Sequence, residues 1–182
     1  MTPAGSMTPH QPVVVPTAEA MRAVGVELAT RLCAGDLVLL SGALGAGKTT
    51  LAQGLGSGLG VRGPITSPTF VIARVHPSLA NGPPLVHVDA YRLGGWDELE
   101  DLDLEATLDE AVTIVEWGEG LAEGLSQDRL EVRIHRSSAA DDGSDARTVE
   151  ITGIGTRWAN ESLTMEPAEN PSVEPHERSN LR

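Results

Sequence analysis

The chain has 182 residues, of which 40% are hydrophobic and 21% charged, and these proportions are typical of one soluble globular domain with its own core. Its formal net charge of −13 argues against direct binding to nucleic acid, because the average field of such a protein repels phosphate. The sequence has neither an apolar run long enough for a membrane helix nor the basic and apolar regions of a signal peptide, so we expect a cytoplasmic protein.

Taken in chain order, the sequence predicts a proline-rich disordered segment at 1–12, a folded domain at 13–160 and a polar, disordered tail at 161–182. Helices are predicted at 17–34 and from about Thr49 to Gly58. The predicted strands are 13–16, 37–41, 70–76, 85–91, 111–117, 130–136 and 146–153.

Several local signals refine these elements. Thr17 is expected to cap the first helix and Gly35 to follow its last turn. The only cysteine, Cys33, excludes an intrachain disulfide and is expected to be a small buried residue. An Asn-Gly pair in the connection 78–84 favours a hairpin between its flanking strands. The acidic stretch 96–110 is expected to be a helix or loop that faces solvent.

The order of these elements predicts the fold class. A buried apolar strand, a glycine-rich loop and a helix are followed by further strands, an order typical of an α/β protein of the P-loop NTPase type. We therefore expect a three-layer sandwich with a mostly parallel sheet and added antiparallel strands near the C-terminus. The last two predicted strands alternate apolar and polar residues and should be antiparallel neighbours.

The glycine-rich loop, GALGAGKT at 42–49, fits the pattern G-x-x-x-x-G-K-[ST] of a phosphate-binding loop. Backbone N–H groups and the start of the following helix would bind phosphate, Lys48 would reach the β- and γ-phosphates, and the Thr49 hydroxyl would bind Mg²⁺. Lys48 is the only lysine, whereas the other twelve basic residues are arginine. A broad guanidinium does not replace a compact ammonium in this cradle, which favours the phosphate role. The loop residues predicted to bind nucleotide are Gly42, Leu44, Gly45, Ala46, Gly47, Lys48 and Thr49.

Two acids follow predicted buried strands and are candidates for the metal side of the site. Asp89 ends the run VHVD, and Glu116 ends the run TIVE. An acid after a buried strand is the pattern of a Walker B residue, but the residues alone leave open which acid holds metal and which polarises water. The hydroxyls of Thr66, Ser67 and Thr69 could contact the γ-phosphate, or could serve only local turn bonding.

The nucleotide and the reaction class are limited by residues that the chain lacks. A Ras-type GTPase reads guanine through Asn-Lys-x-Asp, which is impossible without a second lysine, so ATP is the predicted nucleotide. A small-molecule kinase would carry an arginine-rich lid, and the stretch 96–110 has no arginine. The alternatives that stay open are a P-loop small-molecule kinase and a non-catalytic ATP-binding module.

The combined motifs resemble the TsaE (YjeE) family, P-loop ATPases of bacterial threonylcarbamoyladenosine modification of tRNA. The matching pieces, in order, are SGALGAGKTTLAQGL, ITSPTFVI, VHVDAYRL, ELEDLDLE and IVEWGE. The resemblance implies an ATPase that uses Mg²⁺, is weak alone and works with the partner subunits TsaB and TsaD. Those subunits transfer threonylcarbamoyl to adenosine 37 of tRNA, and ATP hydrolysis would reset their complex, so tRNA is contacted only indirectly.

The same resemblance implies roles for individual residues. Thr50 would also line the phosphates, Thr69 would be the switch residue and Asp89 would lie near the attacking water. Glu116 would be the second metal ligand, and Trp117 beside it would help to bind the nucleotide. His87, Tyr91 and Arg92 belong to the H-x-D-x-YR motif, and His87 is expected to serve packing or hydrogen bonding rather than chemistry.

The phosphate loop departs from the family at Ala43, where relatives usually carry an acid. The cradle should survive, because N–H groups and Lys48 do the binding, whereas any partner contact by that acid would be lost. The acidic stretch 96–110 is a possible docking face for TsaB and TsaD.

Overall fold

The centre of the fold is a block of four parallel strands. A computed structural model describes residues 7–9, 11–136 and 146–165 of the chain. The strands are β1 (Met7–Pro9), β2 (Val13–Val15), β3 (Leu37–Gly42), β4 (Ala73–His76), β5 (Leu85–Asp89), β6 (Val112–Glu116), β7 (Arg129–Arg136) and β8 (Arg147–Ile154). The helices are α1 (Ala18–Ala29), α2 (Lys48–Gly58), α3 (Trp96–Glu100) and α4 (Glu105–Leu108).

The eight strands found in the described residues belong to one mixed sheet. The order β7-β3-β6-β5 is parallel throughout, and β4 adds to β5 in the antiparallel sense. At the other edge β8 runs antiparallel to β7, and both β1 and β2 pair with β8. The predicted α/β class, the β4–β5 hairpin and the antiparallel pair near the C-terminus are confirmed. Antiparallel strands thus flank the parallel block at both edges.

Helices cover both faces of the sheet and make three layers. In β3, successive residues point to opposite faces, so Val38 and Leu40 pack in the core beneath α1 and α2. Leu37 and Leu39 pack in the second core with buried leucines of the α3–α4 segment. Burial on both faces explains why β3 reads as a continuous apolar run.

Helices α1 and α2 approach each other closely through glycines. A Cβ atom placed on Gly25 would lie 2.5 Å from the carbonyl oxygen of Leu51, and one on Gly54 would overlap the carbonyl of Arg22. Only glycine permits this distance between the two helix backbones. Since α2 starts at the phosphate loop, this contact sets where the loop sits.

The first helix is shorter than predicted. Thr17 caps α1 as expected, its hydroxyl accepting from the Ala20 N–H at 3.1 Å. The helix ends at Ala29, not at residue 34, and Gly35 lies in the loop beyond it. There the Asp36 carboxylate accepts from the Cys33 N–H at 2.8 Å and holds a turn in place of helix. Cys33 is therefore exposed, and its predicted burial is wrong.

Two other segments differ from the prediction. The strand expected at 70–76 begins only at Ala73, because Ile72 has a φ of 67° and donates its N–H to the Pro68 carbonyl. The acidic stretch forms the short helices α3 and α4. Its acids face solvent as predicted, but Leu99, Leu104 and Leu108 are buried.

Both ends of the folded region extend further than predicted. Met7–Pro9 form strand β1 inside the segment that was expected to be disordered. Leu163 and Met165 are buried in the same core as Trp158, although the tail was expected to begin at residue 161. Residues 166–182 of the predicted tail and the connection at 137–145 lie outside the described residues.

Candidate active site

The carboxyl ends of β3, β5 and β6 and the start of α2 surround a cavity of about 420 Å³. Parallel strands end at one edge of a sheet, so residues far apart in sequence meet there. The cavity is lined by Leu44, Gly45, Gly47, Lys48, Thr49, Thr50, Ser67, Thr69, Asp89, Tyr91, Glu116 and Trp117. Of the candidate site residues, Gly42, Ala46 and Thr66 do not line it. Ala46 is buried under the loop, and Gly42 contributes its carbonyl from behind.

Backbone geometry shapes the phosphate loop. Gly42 and Gly47 have φ values of 145° and 115°, which side-chain-bearing residues rarely adopt. A Cβ on Gly42 would also lie 2.5 Å from the Ile134 carbonyl oxygen in β7. Gly47 is the N-cap of α2 and offers no side chain to its first N–H groups. Those groups have no intrahelical partner, so the start of this 11-residue helix is open to an anion.

Lys48 is held inside the loop. Its side chain is only 5% exposed, and its Nζ donates to the carbonyls of Gly42 at 2.7 Å and Ala43 at 3.1 Å. The Trp117 ring lies over the ammonium, with 3.7 Å between Nζ and the ring centroid. Burial lowers the pKa of Lys48, and the negative charges of Glu116 and Asp89 partly offset that effect.

Glu116 meets the first helical turn of α2 across the cavity. The Thr49 hydroxyl donates to the Glu116 carboxylate, 3.1 Å from Oε1 and 3.3 Å from Oε2. On its other side, Oε1 lies 2.8 Å from Nε2 of the fully buried His87. The carboxylate thus lies between a hydroxyl and an imidazole.

Asp89 belongs to a second polar group. Its Oδ2 accepts from Ser67 Oγ at 3.0 Å and from Thr69 Oγ1, and these two hydroxyls lie 2.6 Å apart. Its Oδ1 accepts from the Tyr91 N–H at 3.0 Å. Ser67, Thr69 and Asp89 thus make three close contacts with one another, but when Asp89 is ionised only the two hydroxyls carry protons, so only two of the contacts are hydrogen bonds at any time. The third contact can be replaced by a contact to a water or a phosphate oxygen without loss of a hydrogen bond.

The structure divides the hydroxyl cluster that the sequence suggested. Ser67 and Thr69 turn towards Asp89, whereas the Thr66 hydroxyl accepts from Arg74 Nη1 at 3.1 Å, outside the cavity. Ser67, one of the three candidate hydroxyls, lines the cavity as expected for a phosphate contact. Tyr91 also lines it, although the H-x-D-x-YR motif had given this residue no role.

Aromatic rings close one side of the site. Trp117 has a φ of 61°, and its N–H donates to the Leu40 carbonyl at 3.1 Å as the chain turns out of β6. This turn brings its ring within 5.1 Å of the Tyr91 ring, measured between centroids. Two large apolar side chains close in sequence to site residues are exposed, Leu44 in the loop and Phe70 after the Ser-Pro-Thr segment.

The donor set fits a hard cation that also binds phosphate. A hydroxyl and a carboxylate oxygen 3.1 Å apart are ligands of the kind that Mg²⁺ takes. Within the described parts of the chain, no three His, Cys, Asp or Glu side chains are arranged to hold a metal by themselves. Mg²⁺ is commonly bound by one or two protein oxygens together with substrate phosphates, so these residues fit it as a nucleotide-linked ion.

No helix in the described residues is both long and apolar enough to cross a bilayer.

Comparison with known proteins gives one consistent group of relatives. A family model described as "Threonylcarbamoyl adenosine biosynthesis protein TsaE" matches residues 15–147. The tRNA threonylcarbamoyladenosine biosynthesis protein TsaE of Streptomyces coelicolor is 62% identical over 146 residues, which cover 80% of this chain and 98% of that protein. The protein of the same name from Mycobacterium tuberculosis is 52% identical over 134 residues, covering 70% of this chain and 80% of the relative. The crystal structure of Bacillus subtilis YdiB superposes with a TM-score of 0.64 at 30% identity, covering 85% of this chain and 90% of that one.

Proposed function

The chain belongs to the TsaE family of tRNA threonylcarbamoyladenosine biosynthesis proteins, and on this premise we propose that it is a Mg²⁺-dependent ATPase. Its hydrolysis of ATP would support threonylcarbamoylation of adenosine 37 in tRNA by resetting the TsaB–TsaD transferase complex. The observation that carries the proposal is the pairing of Thr49 with Glu116, with Asp89 held on the neighbouring strand. Two separately held acids beside one phosphate loop suit metal binding and water activation.

Phosphate binding is the task of the loop and Lys48. The N-terminus of α2 offers N–H groups to the phosphates, and Lys48 supplies a positive charge for the β- and γ-phosphates. Thr50 lines the same wall, next to Thr49. Trp117, stacked on Lys48, orients the ammonium and shields it from water. ATP is the nucleotide because the chain has no second lysine for the guanine-reading motif.

Thr49 and Glu116 are the residues that would hold Mg²⁺. Their oxygens already face each other, so little rearrangement of the protein is needed to present them to an ion. When bound with ATP, Mg²⁺ supplies charge neutralisation at the β- and γ-phosphates.

Asp89 orients the attacking water in this proposal. Its Oδ2 can exchange one of its two hydroxyl contacts for a water, and Thr69, freed from Asp89, can turn to the γ-phosphate. The water oxygen forms a bond to the γ-phosphorus, and the bond from that phosphorus to the bridging oxygen breaks. ADP leaves with the bridging oxygen, and the water proton passes to the released phosphate or to Asp89. Lys48 and the start of α2 stabilise the developing charge.

Partners account for the regulation of this reaction. Phosphoryl transfer is often completed by a group supplied in trans, so slow hydrolysis by the chain alone is expected. The net charge of −13 favours docking on TsaB and TsaD over gripping tRNA directly. Because these subunits would modify tRNA in the cytoplasm, the chain is proposed to work there as well.

The test is ADP release from Mg²⁺–ATP by the purified chain, with and without TsaB and TsaD and with no hydroxyl acceptor added. Asp89→Asn should lower the hydrolysis rate by about 100-fold or more, the usual scale for loss of a proton-handling group, and should retain nucleotide binding. Asp97→Asn makes the same chemical change on an exposed acid of α3 and, in the assay without TsaB and TsaD, should leave the rate within about twofold.

Three outcomes would count against the proposal in different ways. Unchanged hydrolysis in Asp89→Asn would remove Asp89 from the mechanism. ADP formation that depends on an added hydroxyl compound would indicate a kinase. Nucleotide binding with no hydrolysis, even with both partner subunits, would indicate a non-catalytic ATP-binding module.

A further inference from the structure

His87 is a buried polar residue that the mechanism above does not use. It lies in the middle of β5, is fully buried, and pairs in register with Ile114 of β6. Glu116 is two residues further along β6 and therefore shares the same sheet face. Glu116 is therefore the diagonal neighbour of His87 on the adjacent strand, and the imidazole contacts its carboxylate from the core side.

The contact defines which atoms are engaged. His87 Nε2 lies 2.8 Å from Glu116 Oε1, and an ionised carboxylate only accepts hydrogen bonds, so Nε2 is the donor. The other ring nitrogen, Nδ1, is buried and has no hydrogen-bond partner among the described residues. A leucine would fill this place without an unpaired nitrogen, so packing alone does not account for a histidine here.

We propose that His87 is a positioning residue that fixes the Glu116 carboxylate for metal binding. Its hydrogen bond to Oε1 limits rotation of the carboxylate and keeps both oxygens beside the Thr49 hydroxyl at the cavity wall, 3.1 Å from Oε1 and 3.3 Å from Oε2. Hydrogen-bond partners of this kind orient metal ligands, and their loss commonly weakens metal binding. The inference rests on the proposed function, because it concerns the ion that Glu116 would hold.

The chain contains a matched control in His76. It is also a buried histidine, with Nδ1 3.3 Å from the Arg62 carbonyl and Nε2 without a partner among the described residues. It lies at the end of β4 and does not line the cavity. Substitution of His76 therefore reports the effect of losing a buried imidazole without touching Glu116.

The experiment measures Mn²⁺ binding to the full chain loaded with a non-hydrolysable ATP analogue, by electron paramagnetic resonance. Nucleotide affinity in EDTA is measured in parallel. His87→Leu should weaken Mn²⁺ binding by about 10- to 100-fold, with nucleotide affinity in EDTA changed by less than about twofold. His87→Gln, whose amide nitrogen can replace Nε2, should stay within about threefold of wild type, and His76→Leu within about twofold.

A second pair of variants keeps the test decisive if His87→Leu does not fold. His87→Asn is polar but too short to reach Oε1, so it should bind Mn²⁺ more weakly than His87→Gln. Equal Mn²⁺ affinity in wild type and His87→Leu, an equal loss in His76→Leu, or equal affinities in the Asn and Gln variants would overturn the inference. Absence of Mn²⁺ binding in the wild-type complex would instead overturn the proposed metal site itself.

Discussion

Replacement of Gly25 by alanine tests the contact that positions the phosphate loop. Alanine in a helix interior is favoured over glycine by about 0.8–1.0 kcal/mol, so propensity alone predicts a more stable protein. The added Cβ would lie 2.5 Å from the Leu51 carbonyl oxygen and 2.8 Å from the Leu55 nitrogen. Both are backbone atoms of α2, which cannot move aside as a side chain would.

Overpacking of a core costs about 1–3 kcal/mol, and a backbone overlap belongs at the upper end of that range. Subtracting the propensity gain leaves a net loss of about 2 kcal/mol. For a protein of this size each kcal/mol shifts Tm by about 2–4 °C, so we expect Gly25→Ala to lower Tm by about 4–8 °C. Nucleotide affinity should fall as well, because α2 begins at Lys48.

Thermal unfolding followed by circular dichroism measures the shift, with Gly82→Ala as the control. A Cβ on Gly82 meets nothing closer than 3.7 Å, so alanine there should be neutral or stabilising by up to about 1 kcal/mol. A rise in Tm for Gly25→Ala, the result of propensity alone, would refute the close approach of α1 and α2.

Three further predictions concern charge and the chain end. Nucleotide affinity should fall as pH rises through the pKa of Lys48, which is lowered from its ordinary 10.5, because the ammonium loses its charge. Calorimetric titration should show this fall of affinity with pH in the wild type but not in Lys48→Met, and an equal fall in that variant would exclude Lys48 as its source. Burial also lowers the pKa of His76 from 6.5, so the unfolded state binds the His76 proton more tightly and the free energy of unfolding should decrease as pH drops below 6.5. Urea unfolding of His76→Gln should lack that decrease, and an equal decrease in this variant would show that His76 is not its source. A chain ending after residue 160 loses buried Leu163 and Met165 and should be about 3–6 kcal/mol less stable than one ending after residue 165, whereas equal urea midpoints would show that their burial contributes nothing.

The parallel core and the meeting of site residues were predictable because their causes are local. Apolar runs such as LVLLS mark strands buried on both faces, and the glycine spacing marks the phosphate loop. Asp89 and Glu116 each end such a run, so parallel pairing brings them to one edge of the sheet. Their division of partners could not be predicted from the residues alone, since it depends on which hydroxyl each strand end faces.

Two of the incorrect predictions, the end of α1 and the start of the tail, depend on contacts with residues distant in sequence. Helix α1 stops early where Asp36 binds the Cys33 N–H, and Asp36 is itself held by Arg157 at 3.3 Å, from the far end of the domain. Leu163 and Met165 are two apolar residues in a polar stretch, and only packing with Trp158 makes them core. Periodicity and composition report neighbours in sequence, so neither contact leaves a readable signal.

The central claim is tested most directly by reconstitution of tRNA modification. TsaB, TsaD, tRNA and the threonylcarbamoyl donor are incubated with ATP, and modified adenosine is counted over many cycles with wild-type chain, with Lys48→Ala or with no chain. We predict that modification beyond the first turnover requires the wild-type chain and hydrolysable ATP, and that Lys48→Ala, folded but unable to bind the phosphates, stops it. Equal multiple-turnover modification without the chain, or with Lys48→Ala in its place, would contradict the account.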